Sequence, residues 1–446
     1  MDDTTTPEPM SADQIVDWSR RYTLFDWAVQ NRIAPIPVAR AEGVYFYDPD
    51  GKRYLDFNSQ LMSVNVGHGD RRIVDAIARQ AAQVAYVNSA VMATEVRARL
   101  GHKLAELFPG DIEKSFFTLG GAEANENAIR IAKAVTGRHK VLARYRSYHG
   151  ATAGAISLTG DPRRWANEPG IPGVVHVLDW YHGTMRDEDS AEVALAALEE
   201  TIELEGPSTI AAYILEPVTG TNGILIPPDG YLQGVRELCD RHGIFMIADE
   251  VMSGFGRTGR WFAVEHWSVV PDLITCAKGL TSSYLPLGAV GLRPGVAAWF
   301  DEHSFQGGLT YNSHPVALAA ALAAIQVYEE DGLIERSAKL GEVMRRHHER
   351  LADRHPSVLS HRNIGLFGCL ELVRNRSTGE PMAGFNTTSP EMGALSRFLL
   401  DNGMFVFVHW NQLMTNPPLT ISEEELAEGF EVIDRALEIT DKAVVG

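Results

Sequence analysis

The stretch that decides the fold is residues 244–279, IFMIADEVMSGFGRTGRWFAVEHWSVVPDLITCAKG. Two apolar runs in this stretch have the length of buried strands, and each of them ends in an ionisable side chain. The first run ends at Asp249 and Glu250, and the second ends at Lys278, which Gly279 follows at once. Because a buried charge is costly unless it is paired or used, both strand ends are expected to face a polar site.

A third apolar run of the same kind lies upstream and ends at Glu216. Strands that each deliver an ionisable group at the carboxyl end are typical of an open α/β sheet, in which ligands bind at that edge. One lysine and two acids meeting there, Lys278 with Asp249 and Glu216, indicate chemistry on a carbonyl group. A lysine amine in such a site can form a Schiff base.

Composition and charge exclude several classes of protein. The chain has 446 residues, 45% hydrophobic and 22% charged, which is ordinary for a globular protein with a large core. A formal net charge of −18 argues against nucleic acid or an anionic membrane as the main partner. The three cysteines are too few and too scattered for a disulfide framework, so a cytoplasmic protein is predicted. The first thirteen residues do not resemble a signal peptide, and no segment reaches transmembrane length.

The pattern of apolar runs predicts an α/β protein with two domains. Residues 1–12 are predicted to be a disordered N-terminus, and residues 13–69 to form the N-terminal part of a smaller α+β domain. Residues 70–315 alternate between helices and short apolar strands, which predicts a large domain with a mostly parallel sheet flanked by helices. Residues 316–446 mix helix and strand and are predicted to complete the smaller domain.

A glycine turn within residues 116–125, FFTLGGAEAN, is a candidate phosphate site. An apolar strand leads into Gly120 and Gly121, and a helical pattern with small and apolar residues on one face follows. The free N–H groups and the dipole at the start of such a helix bind a phosphate without any basic side chain. An ordinary tight turn explains the same residues, and this segment alone does not decide between the two interpretations.

Two further motifs carry candidate residues. The triplet Tyr148-His149-Gly150 offers rings that could stack on a flat ligand, although such residues also serve in plain loop packing. The acid pair Asp249 and Glu250 needs a cation, which either a ligand or a structural salt bridge with Arg257 would supply. The histidines lack the spacing of metal ligands, so no metal site is predicted.

Taken together, these motifs resemble those of the class III aminotransferases, which are pyridoxal-phosphate enzymes of fold type I. The resemblance runs from about Ala34 into the C-terminal region. Besides the motifs above it rests on Glu216-Pro217, Gly254-Phe255-Gly256-Arg257-Thr258-Gly259 and Thr310-Tyr311-Asn312-Ser313-His314-Pro315. Each motif alone is weak, whereas their order and spacing together are highly specific.

The resemblance implies roles for four residues around the cofactor ring. Lys278 would hold pyridoxal 5′-phosphate as a Schiff base and would later move a proton, as a buried lysine of lowered pKa can. Asp249 would pair with the ring nitrogen and keep it protonated. Val251 and Tyr148 would pack on the two faces of the ring.

The resemblance also implies how the phosphate is bound and how subunits assemble. Main-chain N–H groups of Gly121 and Ala122 would bind the phosphate. Thr310 would reach the phosphate bound by the neighbouring subunit. The implied active unit is therefore a homodimer with shared active sites, which could assemble further into a tetramer.

The sequence departs from the family pattern at the place where many relatives carry a carboxylate-binding arginine. The two matching positions hold Phe407 and Met414, close to Pro417-Pro418-Leu419. Glu216 matches the glutamate that pairs with such an arginine, so its usual partner is missing. The substrate carboxylate therefore needs another contact, for which the candidates are His409, Trp410, Arg163 and Arg164.

Two parts of the substrate pocket remain open on the sequence. Arg163 and Arg164 lie in the basic, aromatic segment 161–165, which either binds an anionic substrate tail or is a solvated surface loop. Leu61-Met62 stands where relatives often carry a tryptophan in the pocket wall, and Met62 would make that wall more adaptable.

The sequence predicts a transaminase that acts between an amine or ω-amino acid donor and a 2-oxo acid such as pyruvate or 2-oxoglutarate. Amines, β-alanine, 4-aminobutyrate and taurine are the expected donors, because the catalytic set is intact while the usual carboxylate arginine is missing. One alternative is an aminomutase of the same family, which would need no added 2-oxo acid. A non-catalytic, cofactor-binding regulator is a further alternative, which the presence of both Asp249 and Lys278 disfavours.

Overall fold

The computed structural model describes residues 10–181 and 190–445 of the chain. Residues 1–9, most of the segment predicted to be disordered, lie outside the described residues. The first helix begins at Ala12, inside that segment, because the side chains of Ser11 and Gln14 each accept the other's main-chain N–H. Such a capping box satisfies N–H groups that a helix start leaves free. Among the described helices, none is long and apolar enough to cross a membrane.

The described strands form three sheets. In chain order the strands are β1 Arg40–Glu42, β2 Tyr45–Tyr47, β3 Arg53–Asp56, β4 Lys114–Thr118, β5 Lys140–Arg144, β6 Val174–Val177, β7 Ile210–Leu215, β8 Phe245–Asp249, β9 Leu273–Cys276, β10 Gly288–Leu292, β11 Val358–Ile364, β12 Phe367–Asn375, β13 Glu380–Pro381, β14 Met404–Phe405, β15 Val408–His409 and β16 Gln412–Thr415.

Helices connect and cover these strands. The α-helices are α1 Ala12–Tyr22, α2 Ser59–Met62, α3 Arg71–Gln83, α4 Glu95–Leu107, α5 Gly121–Thr136, α6 Ala153–Leu158, α7 Ala191–Glu205, α8 Tyr231–His242, α9 Pro294–Ala297, α10 Trp299–Glu302, α11 Pro315–Glu330, α12 Leu333–Arg354, α13 Pro390–Asp401 and α14 Glu423–Asp441. Short 3₁₀ helices cover Pro162–Asn167, Pro207–Thr209, Ala263–Trp267 and Lys278–Leu280.

The largest sheet has seven strands in the order β4-β10-β9-β8-β7-β5-β6. The strands from β9 to β6 run parallel, and β10 runs antiparallel to both of its neighbours. Every residue of β7 is buried, as expected for a strand covered on both faces. The structure therefore confirms an α/β fold with a mostly parallel sheet. Because β7, β8 and β9 are neighbours, their carboxyl ends lie side by side.

Of the other two sheets, one joins distant parts of the chain and the other lies within the C-terminal part. The order β1-β2-β3-β14 joins an N-terminal hairpin to a C-terminal strand, and the order β11-β12-β16-β15 uses C-terminal strands only, with β13 paired to β12. The seven-stranded sheet uses only strands between residues 114 and 292. The domain boundaries at residues 69–70 and 315–316 stay predictions.

A buried arginine ties together the three parts of the chain around the large sheet. The guanidinium of Arg257 donates to the carbonyls of Leu366 and Pro417 and to the side-chain oxygens of Ser59 and Asn65, at 2.6–3.0 Å. Burial lowers its pKa to about 10. Four neutral acceptors thus take the place of a carboxylate, and the N-terminal and C-terminal segments are fixed against the glycine-rich loop.

The second acid of the Asp249–Glu250 pair is structural. Glu250 accepts hydrogen bonds from the Ser253 hydroxyl and from the Val264 N–H, and burial raises its pKa to about 7. Within the described residues neither acid forms an ion pair with Arg257. Asp249 is therefore left free to serve another cation.

Candidate active site

A cavity of about 490 Å³ opens at the carboxyl ends of the three neighbouring strands β7, β8 and β9. Glu216 directly follows β7, Asp249 ends β8, and Lys278 comes two residues after β9. All three side chains line the cavity, whose volume is that of a small-molecule site. The three ionisable groups therefore meet at one edge of the sheet, as their places in the sequence predict.

Lys278 is held at the cavity by a strained turn. Its φ of +41° lies in the left-handed region, which costs about 1–3 kcal/mol for a residue other than glycine. The half-buried ammonium makes no hydrogen bond or ion pair with any described residue. Burial lowers the pKa of Lys278, while Asp249 and Glu216 act in the opposite direction. A lowered pKa makes this amine a better base and nucleophile near neutral pH.

Asp249 is almost completely buried and firmly oriented. Its Oδ2 accepts hydrogen bonds from Asn125 Nδ2 and His149 Nδ1, both at 2.8 Å, and its Oδ1 accepts the Val251 N–H at 3.1 Å. A carboxylate has no proton to donate, so the proton of the hydrogen bond between His149 and Asp249 lies on Nδ1 of His149. These contacts fix the carboxylate at the cavity wall.

The asparagine beside Asp249 is a site residue that sequence reasoning missed. Asn125, on α5, also donates to the His149 carbonyl at 2.7 Å and accepts the Thr275 hydroxyl at 2.7 Å. It therefore links α5 to β8 and β9 at the point where the catalytic candidates emerge. The available signal was its place among small and apolar residues on the buried face of α5, where an amide needs polar partners.

The glycine turn provides a place for an anion. The helix α5 begins at Gly121 without a side-chain cap, and Gly120, Gly121 and Ala122 line the cavity. A Cβ atom at Gly121 would lie only 2.7 Å from Cγ1 of Val251, so only glycine lets the turn approach that side chain. The free N–H groups at the helix start and the helix dipole favour negative charge at this end.

Glu216 and Tyr148 line another part of the cavity wall. The carboxylate of Glu216 accepts the N–H groups of Tyr148 and Gly220, at 3.0 and 2.8 Å. Burial raises the pKa of Glu216, an effect that the neighbouring His149 opposes. Burial likewise raises the pKa of Tyr148, which remains a neutral ring at the cavity.

A cation lies beside the cavity, against two of its lining residues, Tyr148 and Thr221. The guanidinium carbon of Arg163 lies 3.7 Å from the ring centroid of Tyr148, and its Nη2 donates to the Thr221 hydroxyl at 2.7 Å. Its Nε and Nη2 also hold the buried carboxylate of Asp161. Nη1 has no partner within the described residues. Arg163 is thus oriented by fixed partners and still offers one free donor group.

The other substrate-contact candidates offer less. Arg164 pairs with Glu168, four residues further along the chain. Burial, assisted by Arg163, lowers the pKa of His409 to about 4, so its ring is neutral near pH 7. Trp410 packs on Phe385 and His409. Like Arg163, these three candidates do not line the cavity itself, but they also lack its contacts with the lining residues Tyr148 and Thr221.

The pocket wall near the N-terminus is formed by a residue other than the predicted one. Leu61 lines the cavity, whereas Met62 is buried in an apolar cluster with Met414 and partly buried Phe407. The backbone has positive φ at Gln60 and Met62, and this local twist separates the directions of the two side chains. The positions of the missing arginine are thus apolar, and their side chains belong to the same cluster as Met62.

Thr310 lies outside this cavity. The residue is exposed, and its carbonyl accepts the hydroxyl of Tyr86 at 2.7 Å. It does not line the cavity of its own chain, so its predicted reach to a second subunit's phosphate stays a prediction.

The constellation matches a known family along nearly the whole chain. The family description "Aminotransferase class-III" matches residues 27–437. The chain belongs to this family. It is therefore a pyridoxal-phosphate-dependent aminotransferase of fold type I, which transfers an amino group from a donor to a 2-oxo acid.

Relatives of this aminotransferase have several named donors. It is 34% identical to putrescine–pyruvate aminotransferase of Pseudomonas aeruginosa, over 92% of this chain and 91% of the relative. It is 33% identical to taurine–pyruvate aminotransferase of Bilophila wadsworthia, over 95% and 96% of the two chains. A crystal structure of taurine:2-oxoglutarate aminotransferase from Bifidobacterium kashiwanohense, in complex with PLP and glutamate, is 38% identical and superposes with a TM-score of 0.95. That match covers 98% of this chain and 100% of the other.

The residues of the cavity fit pyridoxal 5′-phosphate. The uncapped start of α5 suits a phosphate, the oriented carboxylate of Asp249 suits a protonated ring nitrogen, and the unpaired amine of Lys278 suits an aldehyde. The group would fill the space between Val251 and Tyr148, which line the cavity with these residues. The phosphate, the ring nitrogen and the aldehyde thus each have a candidate partner in the chain.

Proposed function

We propose that this aminotransferase prefers amino donors with an acidic group remote from the amine, namely ω-amino acids such as β-alanine and 4-aminobutyrate or aminosulfonates such as taurine. The acceptor is a 2-oxo acid such as pyruvate or 2-oxoglutarate. The observation that carries the proposal is Arg163, a fixed cation with a free Nη1 above Tyr148. Guanidinium groups bind carboxylates and sulfonates through charge-assisted hydrogen bonds. Phe407 and Met414 supply no charge of this kind, so Arg163 takes over the task of holding the acidic group.

The proposed catalytic roles belong to two residues. When bound, the cofactor supplies an aldehyde carbon for the amino group and a ring that withdraws electrons. Lys278 Nζ would hold the cofactor through its aldehyde in the resting enzyme, and as a free amine it would accept and return the proton. Asp249, oriented by Asn125 and His149, keeps the ring nitrogen protonated.

Four further residues hold the cofactor in this proposal. The N–H groups of Gly121 and Ala122 bind the phosphate at the start of α5. Val251, which packs against Gly121, and Tyr148 enclose the ring between them. The orientation of the ring is therefore fixed from the phosphate, from both faces and from its nitrogen.

Glu216 has a different role here from the one that a partner arginine would give it. Its two oxygens are used by main-chain N–H groups of Tyr148 and Gly220, and burial raises its pKa. We propose that it shapes the cavity wall.

We also propose that the active unit is a cytoplasmic homodimer. Thr310 and its neighbour Tyr311, which is 57% exposed, lie outside their own cavity and are free to complete the site of a second copy. Further apolar side chains are exposed at Tyr86, Val91 and Met92, on a surface that a second copy would cover. The cysteines, all buried free thiols, agree with a reducing compartment.

The experiment that tests the donor proposal compares two neighbouring arginines. Arg163→Gln removes the cation above Tyr148, and Arg164→Gln removes one that pairs with Glu168 instead. Donor half-reactions with β-alanine, taurine and the uncharged n-propylamine are followed by the loss of cofactor absorbance. Arg163→Gln should raise KM for the acidic donors about 10- to 100-fold, as expected for lost charge-assisted hydrogen bonds, with much smaller change for n-propylamine.

Two outcomes decide this test. Arg163→Lys, which keeps the charge, should recover part of the acidic preference, and Arg164→Gln should behave like the unmodified enzyme. If Arg163→Gln weakens acidic and uncharged donors equally, or if the enzyme shows no preference for acidic donors, the proposed donor class is wrong.

A further inference from the structure

A row of polar side chains crosses one face of the C-terminal sheet. Ser360 of β11 is opposite Glu371 of β12, Glu371 is opposite Gln412 of β16, and Gln412 is opposite His409 of β15. Residues that are directly opposite one another in neighbouring strands share a face of the sheet. Other side chains of β12 and β16, such as Phe367, Cys369 and Met414, belong to an apolar cluster. The polar row therefore lies beside apolar side chains.

The polar row grips a loop of the large sheet, the 219–223 loop (residues Thr219 to Gly223). Gln412 Nε2 donates to the Asn222 carbonyl at 3.4 Å. Arg362, two residues along β11 from Ser360 and thus on the same face, donates from Nε to the Gly223 carbonyl at 2.7 Å. A Cβ at Gly223 would lie 2.5 Å from Gln412 Nε2 and 3.0 Å from Arg362 Nη2, so glycine alone lets both side chains reach the loop.

Arg362, which binds the 219–223 loop, also forms a buried ion pair within the sheet. Arg362 Nη1 donates to Glu371 Oε2 at 3.0 Å, and Glu371 also accepts the hydroxyls of Ser360 and Tyr181. Both members of the pair are buried, the arginine side chain being 9% exposed and the glutamate 2%. A buried pair with further hydrogen bonds holds its geometry, because every alternative arrangement leaves a charge unpaired.

The opposite side of the 219–223 loop faces the substrate end of the cavity. The Thr221 hydroxyl accepts Nη2 of Arg163 at 2.7 Å, and Asn222 Nδ2 donates to Asp161, which holds the same arginine. The Gly220 N–H donates to Glu216 at 2.8 Å. One short loop therefore contacts the proposed substrate cation on one side and the polar row of the sheet on the other.

We propose that Gln412 and Arg362 are positioning residues for substrate specificity, which act through the 219–223 loop to set the place of Arg163. This inference rests on the proposed role of Arg163 in binding the acidic end of the donor. The preference for acidic donors thus depends on a sheet that does not touch the cavity. Loosening the grip displaces Thr221 and Asn222, and the free Nη1 of Arg163 moves out of line with the donor's acidic group.

Two adjacent amides give a matched pair of variants. Gln412→Met removes the bond to the 219–223 loop, and Asn411→Leu removes a bond of the same kind to the Leu372 carbonyl within the sheet. Both residues are buried. Because Oε1 of Gln412 has no partner among the described residues, its replacement also removes an unsatisfied acceptor, so the fold should tolerate it.

The main measurement is the ratio of kcat/KM for β-alanine to kcat/KM for n-propylamine in the holoenzyme. Gln412→Met should lower this ratio by about 3- to 10-fold, the size expected for one hydrogen bond, chiefly through KM of β-alanine. Hydrogen–deuterium exchange of a peptide that contains the 219–223 loop should become faster. Asn411→Leu should leave both the ratio and the exchange of this loop unchanged.

A double-mutant cycle tests the path of the effect. Thr221→Val removes the hydroxyl that accepts Arg163, and if Gln412 acts through this loop, the double variant should be little worse than Thr221→Val alone. If the fold-losses of the ratio in Gln412→Met and Thr221→Val multiply in the double variant, the two residues act independently and the inference is overturned. A Gln412→Met enzyme with faster loop exchange and an unchanged ratio would also overturn it.

The same series separates this inference from the proposed function. If Arg163→Gln lowers the ratio while Gln412→Met does not, the donor proposal stands and the positioning role is overturned. If Arg163→Gln leaves the ratio unchanged, the donor proposal fails and the positioning role fails with it. We expect a lower ratio in both Arg163→Gln and Gln412→Met and an unchanged ratio in Asn411→Leu.

Discussion

At the cofactor end of the cavity, Lys278 and Asp249 stand at the ends of neighbouring strands, whereas at the substrate end Arg163 is held between loops. The carboxylate of Asp249, at the end of β8, has three hydrogen bonds, one from Asn125 of α5 and two from His149 and Val251 in the segments that follow β5 and β8. The guanidinium of Arg163 depends on Asp161 and Thr221, and Thr221 lies in a loop that a second sheet grips.

The difference teaches that chemistry and specificity are supported separately in this molecule. A parallel sheet fixes the positions of its strand ends through its own ladder, so the cofactor end tolerates change elsewhere. Loops follow whatever packs against them, so the substrate end can change through residues far from the substrate. Variants at the first end should abolish the reaction, and variants at the second should change the choice of donor.

The largest expected effect lies at the cofactor end. Lys278→Ala should reduce transamination to the background rate with every donor, since the residue that attaches the aldehyde and moves the proton is lost. Steady-state assays with β-alanine and n-propylamine measure this. Phosphate binding at α5 should persist, which a titration with pyridoxal phosphate, followed by fluorescence, would show.

The same variant tests the shared site. In a heterodimer of Lys278→Ala and Thr310→Ala subunits, one site carries both defects and the other carries neither if Thr310 serves the partner. Cofactor affinity at the lysine-bearing site should then be normal, although it is weakened in the Thr310→Ala homodimer. Equal weakening in both assemblies would place Thr310 with its own site, and residual transamination by the Lys278→Ala homodimer would remove Lys278 from its role.

The features that the sequence could predict are those set by local pattern. Apolar runs that end at Glu216, Asp249 and Lys278 predict three strands of one sheet, and the sheet places those strands side by side. The glycine turn before α5 is a local signal in the same sense. Each of these features follows from the period of the strands and from the chemistry of helix starts.

The substrate end could not be predicted in the same way, because it depends on contacts across long stretches of chain. Arg163 was one of four candidates, and only its place over Tyr148 and against Thr221 separates it from Arg164. Leu61 replaces Met62 in the wall because of positive φ angles that the sequence does not announce. The register that aligns polar residues across the C-terminal sheet is likewise a property of the folded sheet.

A variant with an intermediate expected effect tests the difference between the two ends, because it should weaken cofactor binding and leave donor preference unchanged. Gly121→Ala would place a Cβ at 2.7 and 2.9 Å from the two methyl groups of Val251, so the turn or the valine must move. We expect about 10-fold weaker binding of pyridoxal phosphate, corresponding to about 1.4 kcal/mol, with an unchanged ratio of acidic to uncharged donors. Fluorescence titration of the apoenzyme measures the affinity.

The cause of that loss can be checked with a second substitution. Val251→Ala removes the two methyl groups, so Gly121→Ala should cost less affinity when it is added to Val251→Ala than when it is made alone. Val251→Ala is the reference in this comparison, because Val251 also encloses the ring. An undiminished loss on the Val251→Ala background would show that the added methyl group obstructs the phosphate itself.

The smallest expected effect concerns His409, the titratable neighbour of Arg163. Burial, together with Arg163, lowers its pKa from the ordinary 6.5 to about 4, so the ring carries no charge at or above pH 5.5. An unshifted histidine would lose its charge between pH 5.5 and 8, and acidic donors would then bind more weakly at the higher pH. Here the ratio of KM for β-alanine to KM for n-propylamine should change less than about twofold over that range, and His409→Asn should give the same profile.

The lowered pKa of His409 also makes the free energy of unfolding depend on pH, and the direction follows from when the folded and unfolded chains take up the proton. The unfolded chain takes up the proton near pH 6.5 and the folded chain only near pH 4, so the free energy of unfolding from this residue is fully present above pH 6.5. It declines as the pH falls from 6.5 towards 4, by at most about 1.4 kcal/mol per pH unit. Urea unfolding at pH 7 and pH 5 should show a smaller loss for His409→Asn than for the unmodified enzyme. A ratio of KM for β-alanine to KM for n-propylamine that rises with pH only when His409 is present would instead make this histidine a second cation, and the substrate end would no longer depend on Arg163 alone.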